Sequence, residues 1–289
     1  MRDALGRHRI ATFLVVTYAV TWGAWIPLAI AGRHVGFGSE PLYLLGLLGP
    51  AVGAIATTAL ADGAGGLRDL GARMIRVRAG WRWWLVALGL PIATYAVTYV
   101  VLVAYSVFLL APVALPTRAT LGELDGFPVT NVAALLAMLV AIHGFGEEAG
   151  WRGFLLPALQ RRRSPLVASL LVAACWAPWH LPAFLVADTF RAMPAALIPM
   201  WLLGLASGSV VLAWLYNRGR RSVVLVAACH GAFNLFSGTF GVRGPVAAVE
   251  TLVVIVVAAV LAIQELRATW SDRSGRAAHH AMAPRIAVH

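Results

Sequence analysis

The chain has 289 residues, 60% hydrophobic and 12% charged, with a mean hydropathy of +0.79. A soluble domain carries about 25% charged residues, so an ordinary water-soluble globular protein is excluded. The formal charge of +11 comes with no lysine at all, and in so apolar a chain the arginines mark membrane topology rather than nucleic-acid binding.

Runs of about 20 apolar residues recur along the chain. They predict an all-α polytopic membrane helical bundle of about eight transmembrane helices, at 11–31, 41–62, 83–113, 130–150, 165–187, 195–216, 222–240 and 245–264. The first run is long enough to span and reads as a retained helix rather than a cleaved signal. Between the second and third spans, "GLRDLGARMIRVRAGWRWW" sets Leu67, Leu70, Met74 and Ile75 near one helical face and arginines on the other. That pattern predicts an interfacial amphipathic helix, with Trp81, Trp83 and Trp84 at the headgroup boundary.

With a cytoplasmic N-terminus, one side receives Arg2, Arg7, Arg9, the 68–82 group, Arg152, Arg161 to Arg163, Arg218, Arg220, Arg221 and the tail arginines. The other receives only Arg33, Arg118, Arg191 and Arg243. This asymmetry predicts an integral membrane protein with both termini cytoplasmic. The chain divides into N-terminal helices (1–129), a core of motif-bearing helices (130–264) and a polar, fraying tail (265–289). Cys175 and Cys229 fall within spans and read as packing residues, with no disulfide framework.

Few ionisable residues fall within the spans: His143, Glu147, Glu148, Arg152, His180, His230 and Glu250. Each costs on the order of 2–3 kcal/mol at a helix centre, and such residues face a cavity or one another. In "HGFGEEAGWRG", Glu148 and Arg152 are four apart and can pair, which leaves Glu147 free for chemistry. His143 lies one turn before Glu147. In "CWAPWHLPAF", Pro178 and Pro182 bend the helix around His180, with Trp176 one turn earlier as a wall. In "CHGAFN", His230 and Asn234 share a face. Glycines at 144, 146, 150, 153 and 231 allow close helix approach.

Two chemistries fit these residues. Glu147, His180 and His230 could hold zinc and leave a position for water. Alternatively, Glu147, desolvated in an apolar cavity, acts as general base on a water helped by His180, while His230 and Asn234 stabilise an oxyanion. The absence of a local HExxH pairing tips the balance toward the metal-free route. Glu147, His180, His230 and Asn234 are expected to converge on a cavity among the fourth, fifth and seventh helices, open to the cytoplasmic side. On straight helices the spans as drawn put Glu147 near the cytoplasmic end and His180 on the order of 10–15 Å deeper.

The ordered motifs "EEAGWR", "WAPWH" and "HGAFN" resemble the CPBP family, comprising CAAX prenyl proteases of type II and bacteriocin-processing or immunity proteins. Tryptophan stands at 176 where phenylalanine is common. The resemblance spans about residues 130 to 240. It implies an intramembrane endopeptidase in which Glu147 and His180 activate water, His230 and Asn234 form the oxyanion hole, and Glu148 and Arg152 support them. Both metal and metal-free mechanisms are attached to the family. Arginine-only usage suggests a GC-rich bacterial genome, hence a bacterial cell membrane and a membrane-associated protein or peptide substrate rather than a prenylated one. The alternative is a non-proteolytic immunity or scaffold protein of the same fold. A proton-coupled transporter is disfavoured, since the two halves do not match.

Overall fold

The computed structural model describes residues 8–36, 40–108, 123–124, 127–128, 132–239 and 245–282. Helices stand at all eight positions where apolar runs predict spans. They are α1 (Arg9–Ile30), α2 (Pro41–Leu47) with α3 (Gly49–Met74), α4 (Trp81–Phe108), α5 (Ala133–Gln160), α6 (Pro165–Trp179), α7 (Ile198–Arg218), α8 (Val223–Thr239) and α9 (Pro245–Met282). Among the described residues, six helices are long and apolar enough to cross a membrane on their own. α2 and α3 make a crossing only as a pair bent by 48°, and the apolar stretch of α8, Val223–Ser237, is shorter. The eight predicted spans thus divide into six simple ones, one broken and one short. The fold is an all-α polytopic membrane bundle. Among the described residues its β structure is limited to a two-residue antiparallel pair, Glu123–Leu124 with Phe127–Pro128, and an isolated bridge between Val35 and Ala187.

α5 differs most from the sequence reading, which ends the fourth span at residue 150. The helix runs on to Gln160. Glu148 and Arg152 neutralise each other inside the bundle, so they do not mark an interface, and Phe154, Leu155 and Leu156 continue the buried face. Glu147 therefore lies near the middle of its span. It is about 20 Å from the Gln160 end, and His180 is about 22 Å from Pro165, at 1.5 Å per residue. The depth mismatch disappears.

Two π-helical turns, Leu139–Gly144 and Trp151–Leu155, flank the short α-helical segment Phe145–Gly150 that carries both glutamates. Such turns within α-helices are frequent at functional sites. Glycines press this segment against its neighbours. A Cβ on Gly144 would collide with the Ala227 backbone of α8, one on Gly146 with the Leu47 carbonyl, and one on Gly150 with Pro50. From α8, Gly231 meets Val140 in the same way.

α3 breaks at Gly63, whose φ of 65° and ψ of −155° are open to glycine but not to larger residues. Beyond it, the predicted amphipathic segment is helical as far as Met74. Leu70 is buried there and Arg68 and Asp69 are exposed. Ile75 falls past the helix end and is 76% exposed, not part of the apolar face. α9 passes Gln264, where the polar composition predicts fraying, and continues to Met282.

The arginines gather at one end of the bundle. Arg9 pairs with Asp62 at 2.9 Å. Arg76 Nη1 donates to the Arg220 carbonyl (2.8 Å) and Ser222 Oγ to the Arg76 carbonyl (2.6 Å), so the 75–80 segment meets the α7–α8 turn. At the opposite end Arg33 pairs with Glu40 at 3.0 Å, and Val35 bridges to Ala187. Arg2, Arg7, Arg118 and Arg243, used in the positive-inside reading, lie outside the described residues. One buried cluster joins Phe13 and Trp25 of α1 to Trp151, Trp179 and Cys229, and both cysteines are free thiols.

Candidate active site

The second motif sits where α6 comes apart. Its last turn holds Pro178, with Pro182 just beyond, and each lacks a backbone N–H. Side chains meet the carbonyls of this loosened turn. Tyr18 Oη donates to the Cys175 carbonyl (2.5 Å), and Trp22 Nε1 donates to that of Trp179 (3.2 Å). His180 Nδ1 lies 2.9 Å from the Trp176 carbonyl. A carbonyl can only accept, so Nδ1 carries the hydrogen and Nε2 of the neutral ring is left as an acceptor. Aromatic rings fix the imidazole, with centroids at 4.7 Å for Trp179, 5.4 Å for Trp201 and 5.5 Å for Phe190.

Trp176 connects all three motifs. Its indole Nε1 donates to Glu147 Oε2 at 2.7 Å. Its ring meets that of His230 edge-on at 5.6 Å and carries the Arg152 guanidinium over its face at 4.7 Å. The sequence reading assigns Trp176 a wall and misses the N–H. The available signal is the indole itself, standing where phenylalanine, which has no donor, is common.

Glu148 is fully buried and makes the pair with Arg152 that the four-residue spacing predicts, Nη1 to Oε1 at 2.8 Å. It also makes a bond that no spacing reveals: His230 Nδ1 lies 2.8 Å from the same Oε1. His230 is thus held by the supporting carboxylate rather than standing free beside Asn234. Asn234 is half-buried, and among the described residues its amide has no hydrogen-bond partner.

Glu147, His180, His230 and Asn234 all line one cavity of about 380 Å³, together with His143, Trp176 and Glu250. Besides α5, α6 and α8, its walls include Leu90 and Pro91 of α4, Leu205 and Val211 of α7, and Val254 and Val257 of α9. The sequence reading opens this cavity toward the arginine-rich end. Its loop walls instead come from Val35, Gly36, Ala187, Thr189, Phe190 and Met193, at the opposite end, because Glu147 lies deeper than a span ending at residue 150 allows.

The zinc set does not fit. Among the described residues no three His, Cys, Asp or Glu side chains are gathered to hold a metal ion.

Residues 129–236 match the model of the family described as Rce1-like, type II CAAX prenyl endopeptidase. Over 141 residues the chain is 26% identical to CAAX prenyl protease 2 of Methanococcus maripaludis, covering 47% of this chain and 51% of that protein. The chain therefore spans about half the length of this curated relative. The matched interval holds Glu147, His180, His230 and Asn234, all of which line the cavity, and the Glu148–Arg152 pair. Through this interval the chain is similar to the type II CAAX prenyl endopeptidases.

Proposed function

We propose that the chain is an intramembrane endopeptidase that hydrolyses a peptide bond of a membrane-associated protein or peptide. The observation that carries this reading is the shared cavity. Glu147, His180, His230 and Asn234 line it together, and Glu147 and His180 are both tied to Trp176, one by its indole N–H and the other by its carbonyl. The match to an endopeptidase family over the same residues supports it.

A water held between the Glu147 carboxylate and His180 Nε2 loses a proton to Glu147 as its oxygen attacks the substrate carbonyl. The negative charge that develops on the carbonyl oxygen meets the Asn234 amide N–H. It also meets Nε2–H of a His230 imidazolium whose Nδ1–H is held by Glu148. Collapse of this intermediate breaks the C–N bond, and Glu147 returns its proton to the leaving amine. Glu148 and Arg152 act as positioning residues through His230. The reading follows the metal-free route, in which Glu147 itself takes the proton. Arginine-only usage supports a bacterial membrane, and the arginine asymmetry supports a cytoplasmic arginine-rich end.

Purified protein tested on a peptide library beside Glu147→Gln decides the matter. The isosteric change removes the base and should cut cleavage at least about 100-fold, the lower scale of general-base catalysis, with folding retained. A variant that keeps the full phenotype would place the chain among binding or immunity proteins instead.

A further inference from the structure

The cavity holds a second carboxylate that this mechanism does not use. Glu250 of α9 is 4% exposed and, among the described residues, accepts only from Ser237 Oγ of α8, at 3.2 and 3.1 Å to its two oxygens. One hydroxyl hydrogen cannot fill a carboxylate that takes about four hydrogen bonds. Among the described residues no arginine or histidine pairs with Glu250, although an acidic group inside a span is rare without a partner or a functional pathway. Both Glu250 and Ser237 line the same cavity as Glu147.

The geometry of α8 relates the two polar regions. His230, Asn234 and Ser237 fall at i, i+4 and i+7, on one face of the helix. Ser237 is therefore about 10 Å along the axis from His230, at 1.5 Å per residue. An extended peptide rises about 3.3 Å per residue, so this distance is roughly three substrate residues. On the same helix the cavity wall is formed by Ala247, Val254 and Val257, with Thr251, whose hydroxyl is turned to the Ala247 carbonyl. An acidic end point beside apolar walls suits a long aliphatic stem with a cationic head.

We infer that Glu250 and Ser237 form a recognition subsite for a lysine or arginine side chain of the substrate, about three residues from the bond that is cut. The inference rests on the hydrolase reading for its register, but its test does not require turnover. Glu147→Gln protein in maltoside micelles is titrated with fluorescent apolar peptides that carry lysine or norleucine at successive positions. At one position lysine should bind at least about tenfold tighter than norleucine, and the preference should vanish in Glu147→Gln/Glu250→Gln, with thermal unfolding checking that both proteins are folded. Should the double variant fail to fold, the lysine-to-norleucine ratio on Glu147→Gln alone decides. No lysine advantage at any position, whether through equal binding or none, overturns the inference. So does an advantage that survives Glu250→Gln, or displacement of the lysine peptide by phosphatidylethanolamine, which would put a headgroup amine on Glu250. Cleavage by the unaltered protein without lysine preference sinks the subsite alone. Lysine-selective binding without cleavage sinks the hydrolase reading alone.

Discussion

Replacing Arg152 by methionine should be severely destabilising, and adding Glu148→Gln should restore much of the loss. Arg152 and Glu148 are both 0% exposed, and a single oxygen, Glu148 Oε1, takes the bonds from Arg152 and His230. Arg152→Met leaves a buried carboxylate with one partner, a situation that costs about 3–5 kcal/mol. In the double variant the residue at 148 is neutral, and its amide oxygen can still accept from His230 Nδ1. The pair is also under-satisfied to begin with, since among the described residues Glu148 Oε2 and Arg152 Nε and Nη2 have no hydrogen-bond partners. Its neutral replacement should therefore cost only about 1–1.5 kcal/mol, the scale of one net hydrogen bond. The second substitution then recovers at least about 1.5 kcal/mol of what the first removes, a coupling typical of residues in one network. Unfolding in mixed dodecyl sulfate and maltoside micelles, followed by tryptophan fluorescence, measures all the variants on one scale. A loss under about 1 kcal/mol for Arg152→Met, or losses that simply add, would refute the idea that Arg152 compensates a buried charge.

Asn234→Ala should lower kcat by about 3 kcal/mol of transition-state stabilisation, somewhat over 100-fold, with KM little changed; an equal rise in KM at constant kcat would assign Asn234 to substrate binding instead. Gly144→Leu and Gly150→Leu should abolish stable folding, since even a Cβ meets the Ala227 backbone or Pro50, whereas Gly71→Ala, with open space around it, should leave thermal stability within about 0.5 kcal/mol. Reporter fusions after Gln160 and after Arg221 should report cytoplasm, and a fusion after Arg33 the far side; a cytoplasmic signal from the last would reverse the assignment drawn from the arginines.

The local relations of the site could be read from spacing, because a helix fixes which residues share a face. The Glu148–Arg152 pair and the His230–Asn234 face are of this kind. So is the role of glycines 144, 146, 150 and 231, since small residues at helix contacts have one main use in a membrane. What spacing could not supply were relations between helices. Nothing in the interval of 82 residues between Glu148 and His230 signals their bond, nor does the interval between Ser237 and Glu250. The end of α5 is misplaced because the span boundary is drawn at the charges even though the Glu148–Arg152 pair that neutralises them is recognised. The π-helical turns around the glutamates follow from packing and not from any composition rule, so the depth of Glu147 could not be read before the structure.

Tyr18 and Trp22, reaching from α1 to the carbonyls of Cys175 and Trp179, bear on modularity. They belong to residues outside the interval 129–236 that comparison recognises, as does Thr21, whose hydroxyl accepts from Trp179 Nε1 at 2.7 Å while donating to the Gly46 carbonyl at 2.7 Å. The bent end of α6, on which His180 depends, thus borrows its hydrogen bonds from the first helix of the chain. A fragment trimmed to the recognisable interval would keep every motif and lose the brace that holds one of them open. Grafting these helices into another membrane scaffold therefore means carrying α1 along, or rebuilding its three polar contacts on a new helix.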